Sequence, residues 1–77
     1  MKKIISSVLG HDRPGIIAAV SEVLFHSGCN IEDVSQTILQ TEFAGVFIAS
    51  MPSSLPTDEL AGRLCRKLDP LGLSVLL

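Results

Sequence analysis

The chain opens on a short run of β-branched and apolar residues broken by two serines, Ile4-Ile5-Ser6-Ser7-Val8-Leu9. It predicts a strand from about Lys2 to Leu9 with one mainly buried face. The pattern stops at Gly10. From about Pro14 to Ser27 the period changes: Ile16, Ile17, Val20, Val23 and Leu24 recur at spacings of three and four, the stripe of a helix, with Ser21, Glu22 and His26 outside it or on its margin. Gly28 is placed to end that helix in the left-handed conformation. Asn30 to about Leu39 then alternates, with Ile31, Asp33, Ser35, Thr37 and Leu39 on one side and Glu32, Val34, Gln36 and Ile38 on the other. Neither set is purely apolar, which suits an edge strand. A short turn near Gln40 to Glu42 leads into Phe43 through Met51, whose large and β-branched residues predict a buried central strand in a hairpin with the one before it.

Pro52, Ser53, Ser54 and Pro56 mark a loop, and Thr57-Asp58-Glu59 reads as a cap followed by an acidic first turn. Leu60, Ala61, Leu64, Cys65 and Leu68 form a second helical stripe, with Arg63, Arg66 and Lys67 toward its C-terminal half, as the helix dipole prefers. Asp69-Pro70 stops the helix, and Gly72 opens a last strand from Leu73 to Leu77. The order β-α-β-β-α-β is the split pattern of ferredoxin-like α+β sandwiches, in which a four-stranded antiparallel sheet carries two helices on one face.

Composition adds an expectation about assembly. Seventy-seven residues make a single domain, 1–77, near the lower size limit for folding on an apolar core alone, yet 47% of the residues are hydrophobic. A chain this short cannot easily hide that much apolar surface as a monomer, so a homodimer or higher oligomer is expected. The formal charge is -2 and the six Lys and Arg residues are scattered, with three Phe and neither Trp nor Tyr. That excludes a basic, aromatic-rich surface for nucleic acid. The apolar stretches are too short and broken for a spanning helix, so no membrane role is expected. Lys2 and Lys3 lead into a strand-like alternation instead of a long apolar signal segment, and a cytoplasmic location is the expectation. Cys29 and Cys65 fit reduced thiols and lack the spacing of a thiolate metal site, so neither metal nor cofactor is expected.

The chemistry concentrates in Gly10-His11-Asp12-Arg13-Pro14-Gly15, between the first strand and the first helix. Gly10 permits an unusual backbone, Asp12 or Arg13 is placed to cap the helix, and Pro14 is pre-set in φ for its first turn. The free amides and the positive dipole end of that turn suit a carboxylate or another small anion. Asp12 would accept hydrogen bonds from an ammonium group, Asn30 would both donate and accept, and the backbone near Gly10, Ile16 and Ile17 would hold a carboxylate: the needs of an α-amino acid. The same residues serve equally as a helix cap and a turn. Asp12 and Asn30 flank the helix about 20 Å apart by its rise, so one ligand touching both needs a second chain whose edge strand pairs antiparallel with the first. His11 has an exposed or capping role beside a ligand-contact one, and His26 suits the helix C-terminus. No buried general base accompanies His11, Asp12 or the cysteines, so catalysis is not expected.

With these residues in view, the chain resembles an ACT domain along essentially its whole length. The resemblance is carried by Leu9-Gly10-His11-Asp12-Arg13-Pro14-Gly15-Ile16-Ile17-Ala18, by Val20-Ser21-Glu22-Val23-Leu24, and by Gly28-Cys29-Asn30-Ile31-Glu32-Asp33 with Ser35-Gln36-Thr37. Within the family it is most similar to the modules of glycine-cleavage-system regulators and to the N-terminal module of formyltetrahydrofolate deformylases. The resemblance implies a regulatory domain that binds a small amino acid, glycine or serine among the candidates, between side-by-side modules. It puts Asp12 and Asn30 at positions where family members contact ligand, and the candidate contacts around them are Gly10, His11, Arg13, Pro14, Gly15 and Ile16 with Ile31. It also implies a tethered or associated protein of glycine, one-carbon or general amino-acid metabolism. The alternative is a structural dimerisation or protein-interaction module with no ligand. The chain carries Gly10 where some amino-acid-sensing members have a histidine, with His11 one place later, and it holds one module where the regulators hold two in tandem.

Overall fold

The computed structural model describes residues 1–77. Its elements are β1 (Lys2–His11), α1 (Ile16–His26), β2 (Asn30–Leu39), β3 (Glu42–Met51), α2 (Thr57–Leu68), a 3-10 turn over Asp69–Leu71 and β4 (Leu73–Leu76). The four strands form one antiparallel sheet in the order β2-β3-β1-β4, the ferredoxin-like arrangement expected from the element order. β1 and β3 are central and pair along ten positions, from Lys2 with Met51 to His11 with Glu42. β2 is an edge strand and β3 a central one, as the alternation and the large residues predict.

One side of the sheet carries both helices. Alternation along β1 points Ile4, Ser6 and Val8 inward, and along β3 it points Phe43, Phe47, Ala49 and Met51 inward. These meet Ile16, Ala19, Val20 and Leu24 of α1 and Leu60, Leu64 and Leu68 of α2 in one core. Each Leu at full burial contributes roughly 2–5 kcal/mol against truncation to Ala, so the leucine stripe of α2 and the mixed apolar stripe of α1 are what keep the helices on the sheet. The helices also meet each other through polar contacts: Arg63 Nη1 donates to Ser27 Oγ at 3.1 Å, and Lys67 Nζ lies 3.5 Å from Glu22 Oε1.

Three local expectations are corrected. α1 begins at Ile16, not Pro14, and its N-cap is Gly15 at φ 87°, with no side-chain cap bond. Asp12 and Arg13 therefore do not cap the helix, because two residues and a left-handed turn intervene. α2 is capped by Pro56 in an extended conformation, and Thr57 is already helical; the acidic first turn, Asp58 and Glu59, is as expected. Strict alternation in β2 also fails. Ile31 pairs with Ala49 and Asp33 with Ile48, so Glu32 is an extra, bulged residue. Ile31 consequently shares the helix-side face with Val34, Gln36 and Ile38 instead of the opposite face with Asp33, Ser35 and Thr37.

Two glycines in the loop have different reasons. A Cβ on Gly10 would lie 2.7 Å from both the Gly72 carbonyl oxygen and a Leu73 methyl, so Gly10 lets β4 close against β1. A Cβ on Gly15 would meet nothing, and only its positive φ demands glycine. Gly10→Ala is expected to cost about 2–3 kcal/mol, as overpacking against backbone does, and Gly15→Ala about 1 kcal/mol, in urea unfolding at neutral pH. In the same measurement Ser6→Ala is expected to stabilise by about 1 kcal/mol, because Ser6 Oγ is buried at the sheet centre with no hydrogen-bond partner.

Candidate functional site

The β1–α1 loop forms its site from backbone first. The first intrahelical bond of α1 runs from the Ala19 amide to the Gly15 carbonyl at 2.9 Å, which leaves the amides of Ile16, Ile17 and Ala18 without helical acceptors. No side chain caps them. They open on a recess of about 190 Å³ lined by Asp12, Arg13, Gly15, Ile16, Ile17, Ala18, Gln36 and Phe43. That size is below the ~300–1,000 Å³ of pockets that enclose drug-sized ligands and suits a small metabolite.

Each side of the recess has a local cause. The Asp12 amide donates to the Thr41 carbonyl at 2.8 Å, which ties the loop to the β2–β3 hairpin. Arg13 Nη1 donates to the Leu71 carbonyl at 3.5 Å, in the 3-10 turn that leads into β4. The Phe43 ring packs against the backbone of Gly45, where a Cβ would come within 2.7 Å of it, so Gly45 seats the aromatic floor. Gln36 comes from β2, opposite Gly45, on the face that also carries Val34 and Ile38.

The expected site residues separate into groups. Asp12, Arg13, Gly15 and Ile16 line the recess together. His11 is the last residue of β1, and its Nδ1 lies 3.9 Å from Glu42 Oε2 at an exposed position outside the recess lining. Gly10 packs on β4, and Pro14 shapes the approach to Gly15 without lining the recess. Asn30 and Ile31 begin β2 at the other end of the sheet: Asn30 pairs with Ser50, itself opposite Lys3, whereas Asp12 sits beside Thr41. Within one chain the loop and Asn30 are thus apart, as the helix rise predicts.

Phe43 was not expected as a site residue, and Gln36 only through the polarity of Ser35-Gln36-Thr37, which favours an exposed edge face and leaves a second-subunit contact or part of a ligand rim open. The available signal was Gln36 itself, a polar residue between Val34 and Ile38 on one face of β2.

Cys29 fixes where β2 starts. Its thiol is buried below Arg63, and burial pushes its pKa above the ordinary thiol range, with the Arg63 charge opposing part of the rise. A raised folded-state pKa means that stability from the neutral thiol is complete below the unfolded value, about 8.5, and is lost as pH rises through the folded value. Urea midpoints are therefore expected to fall above about pH 8.5 more steeply for the wild type than for Cys29→Ala. Equal slopes would remove the thiol from the alkaline limb. No group of three His, Cys, Asp or Glu side chains is arranged to hold a metal ion, and no helix is long and apolar enough to cross a membrane.

The sheet order, the paired helices on one face and the glycine-capped recess at the first helix define a small α+β module of the ferredoxin-like class. A family model for the ACT domain matches residues 2–76, and the chain belongs to the ACT domain family. It is 39% identical over 72 residues to a UPF0237 protein of Methanopyrus kandleri, covering 94% of this chain and 77% of that one. Among solved structures it is similar to an ACT domain protein from Streptococcus pneumoniae, at 30% identity and a TM-score of 0.84, covering 95% and 83% of the two chains. A protein assigned as a glycine cleavage system transcriptional repressor matches at 27% identity and a TM-score of 0.72, over 96% of this chain and 42% of that one. A formyltetrahydrofolate deformylase from Pseudomonas putida shares the fold at 13% identity and a TM-score of 0.88, over 97% of this chain and 28% of that one. The two groups of modules named from the sequence are thus among its structural neighbours.

Proposed function

We propose that this chain is a non-catalytic regulatory domain that binds a small α-amino acid at the interface of a side-by-side homodimer. The observation that carries the reading is the recess itself: three uncapped helix amides, the Asp12 carboxylate and the Gln36 amide converge beside an unpaired edge strand. The amides take the ligand carboxylate and Asp12 its ammonium. A small volume favours glycine or serine over larger side chains.

The second half of the site comes from a partner. β2 has a free edge and its two ends lie at opposite ends of the sheet, so antiparallel pairing of two β2 strands brings Asn30 of one protomer to the Asp12 loop of the other. α1 supports this pairing. Its sequence is apolar nearly all round, and helical spacing puts Ile17, Ser21 and Phe25 on one flank, with Ile17 next to Gln36 of β2. Phe25 is 78% exposed, and Ile38 of β2 is also exposed; an abutting copy covers both. Kinship to the repressor and the deformylase supports a place in glycine or one-carbon metabolism, through a tethered or associated protein.

Isothermal titration of the twenty amino acids into the folded dimer tests the reading. A saturable signal is expected for a small amino acid. Asp12→Ala should weaken it about tenfold or more, the loss of one charge-assisted hydrogen bond, and Asn30→Ala should also weaken it. Silence from all twenty, with the dimer intact, would leave a structural dimerisation module without a ligand.

A further inference from the structure

The free backbone groups of the β2 edge are confined to a short stretch. At one end the strand is closed by the two-residue turn of Gln40 and Thr41, with Leu39 opposite Glu42. The pair that closes such a turn exchanges both of its backbone bonds, so alternation directs the amides and carbonyls of Leu39, Thr37 and Ser35 toward β3. Those of Ile38, Gln36 and Val34 point at the free edge. The Val34 amide donates instead to Asp33 Oδ1 at 2.9 Å, the kind of acceptor an amide turned away from β3 has to find. At the other end the extra residue Glu32 interrupts the strand. Between turn and bulge the edge therefore offers three residues, Val34, Gln36 and Ile38.

One antiparallel register between two copies of this edge uses all three. Centred on Gln36, it sets Val34 against Ile38 of the partner and Gln36 against Gln36 of the partner, and every pair exchanges both backbone bonds. A centre at Ser35 drives Ile38 onto the partner's bulge, and a centre at Thr37 drives Val34 onto the partner's turn, so either leaves edge groups of both chains unpaired. Side chains agree with the Gln36 centre. Val34 meets Ile38 of the partner on the helix side, Ser35 meets Thr37 of the partner on the other, and Asp33 lies across from Leu39 of the partner, with no carboxylate opposing another. Counted on past the bulge, Asn30 comes level with Thr41 of the partner, and in each chain the Thr41 carbonyl accepts the Asp12 amide at 2.8 Å. The register that satisfies the edge is thus also the one that the two-chain site requires.

Resting on the side-by-side pairing proposed above, we infer that the two copies join in this register and that Gln36 couples their two ligand sites across the axis. Gln36 lines the recess of its own chain, and its side chain makes no hydrogen bond within that chain. On the two-fold axis it faces its symmetry mate, with about 5.5 Å between the two Cα atoms. A primary amide both donates and accepts, so two of them face to face satisfy each other. A ligand that takes the Gln36 amide in one recess parts that pair. The second ligand then meets an amide already released, and binding is positively cooperative.

Cysteine pairing reads the register without any ligand. In a Cys65→Ser background, Ser35→Cys of one chain stands directly opposite Thr37→Cys of the other, about 4.5 Å between Cα atoms. Refolded together and mildly oxidised, the two variants are expected to form the mixed disulfide, and neither to cross-link with itself. Self-cross-linking of either variant, or no cross-link in a chain that sediments as a dimer, overturns the register and leaves the amino-acid reading standing. A chain that sediments as a monomer with and without amino acid overturns the side-by-side pairing and this inference with it. Coupling is read by titrating serine and glycine: the wild-type dimer is expected to bind its second ligand several-fold more tightly than its first, and Gln36→Leu to return the Hill coefficient to about 1. Independent sites in the wild type, cooperativity unchanged in Gln36→Leu, or silence from both amino acids overturns the coupling, while the disulfide decides the register separately.

Discussion

The ladder between β1 and β3 is the constraint on which the rest of this structure depends. These strands are separated by a helix, a strand and a turn, yet they pair along their full length, and β1 is paired again on its other side by β4. Such pairing is costly in loop closure and is held by what it buries: Val8, Phe47 and Met51 lose all contact with water. With β1 and β3 central, β2 has no neighbour on one side. The same ladder places the two ends of β1, and with them Lys3 and the Asp12 loop, at opposite ends of the sheet. The recess and the free edge both follow from that one register.

The helices differ in what they must hide, and the difference bears on assembly. α2 is amphipathic: Leu60, Leu64 and Leu68 face the core, and Glu59, Arg63, Arg66 and Lys67 lie outside that stripe, with Arg63 paired to Glu59. It is finished as a surface helix. α1 is not. Beyond Ile16, Ala19, Val20 and Leu24 it still carries Ala18 and Phe25 on exposed positions, and a helix apolar nearly all round ordinarily has neighbours on more than one side. The apolar surplus seen in the composition is therefore localised, on the α1 flank beside β2 and on the uncovered sheet face, with α2 carrying little of it.

How far the sequence reads the structure depends on what sets each feature. Periodicity reports burial, so the six main elements, the edge character of β2 and the central place of β3 were all legible. Gly28, at φ 79°, ends α1 as its position predicts. Features set by a single backbone torsion were not legible. Asp12 and Arg13 look like caps because caps and loops favour the same residue types, but Gly15 takes the left-handed conformation and starts the helix one residue later. The bulge at Glu32 leaves no clear mark on composition, yet it moves Ile31 to the other face of β2. Gln36 and Phe43 enter the recess through the register of the hairpin, whose turn at Gln40 has φ 57°. Partners across strands are a tertiary fact that a pattern along one strand does not contain.

The same geometry gives ligand and assembly a common footing. Asp12 lies by the β2–β3 turn and Asn30 at the far end of β2, so a ligand that contacts both must be held by two chains. Its binding free energy then belongs to the pair and not to either protomer, and by linkage it shifts association by RT ln(1 + [L]/Kd), about 2.7 kcal/mol at a hundredfold excess over Kd. No movement within the domain is needed for such a response. The loop is already tied to the hairpin by the Asp12 amide, and β2 is anchored at its start by the buried Cys29. On the proposed reading, a domain with one free sheet edge reports a metabolite through the population of its pairs and needs no change of fold to do so.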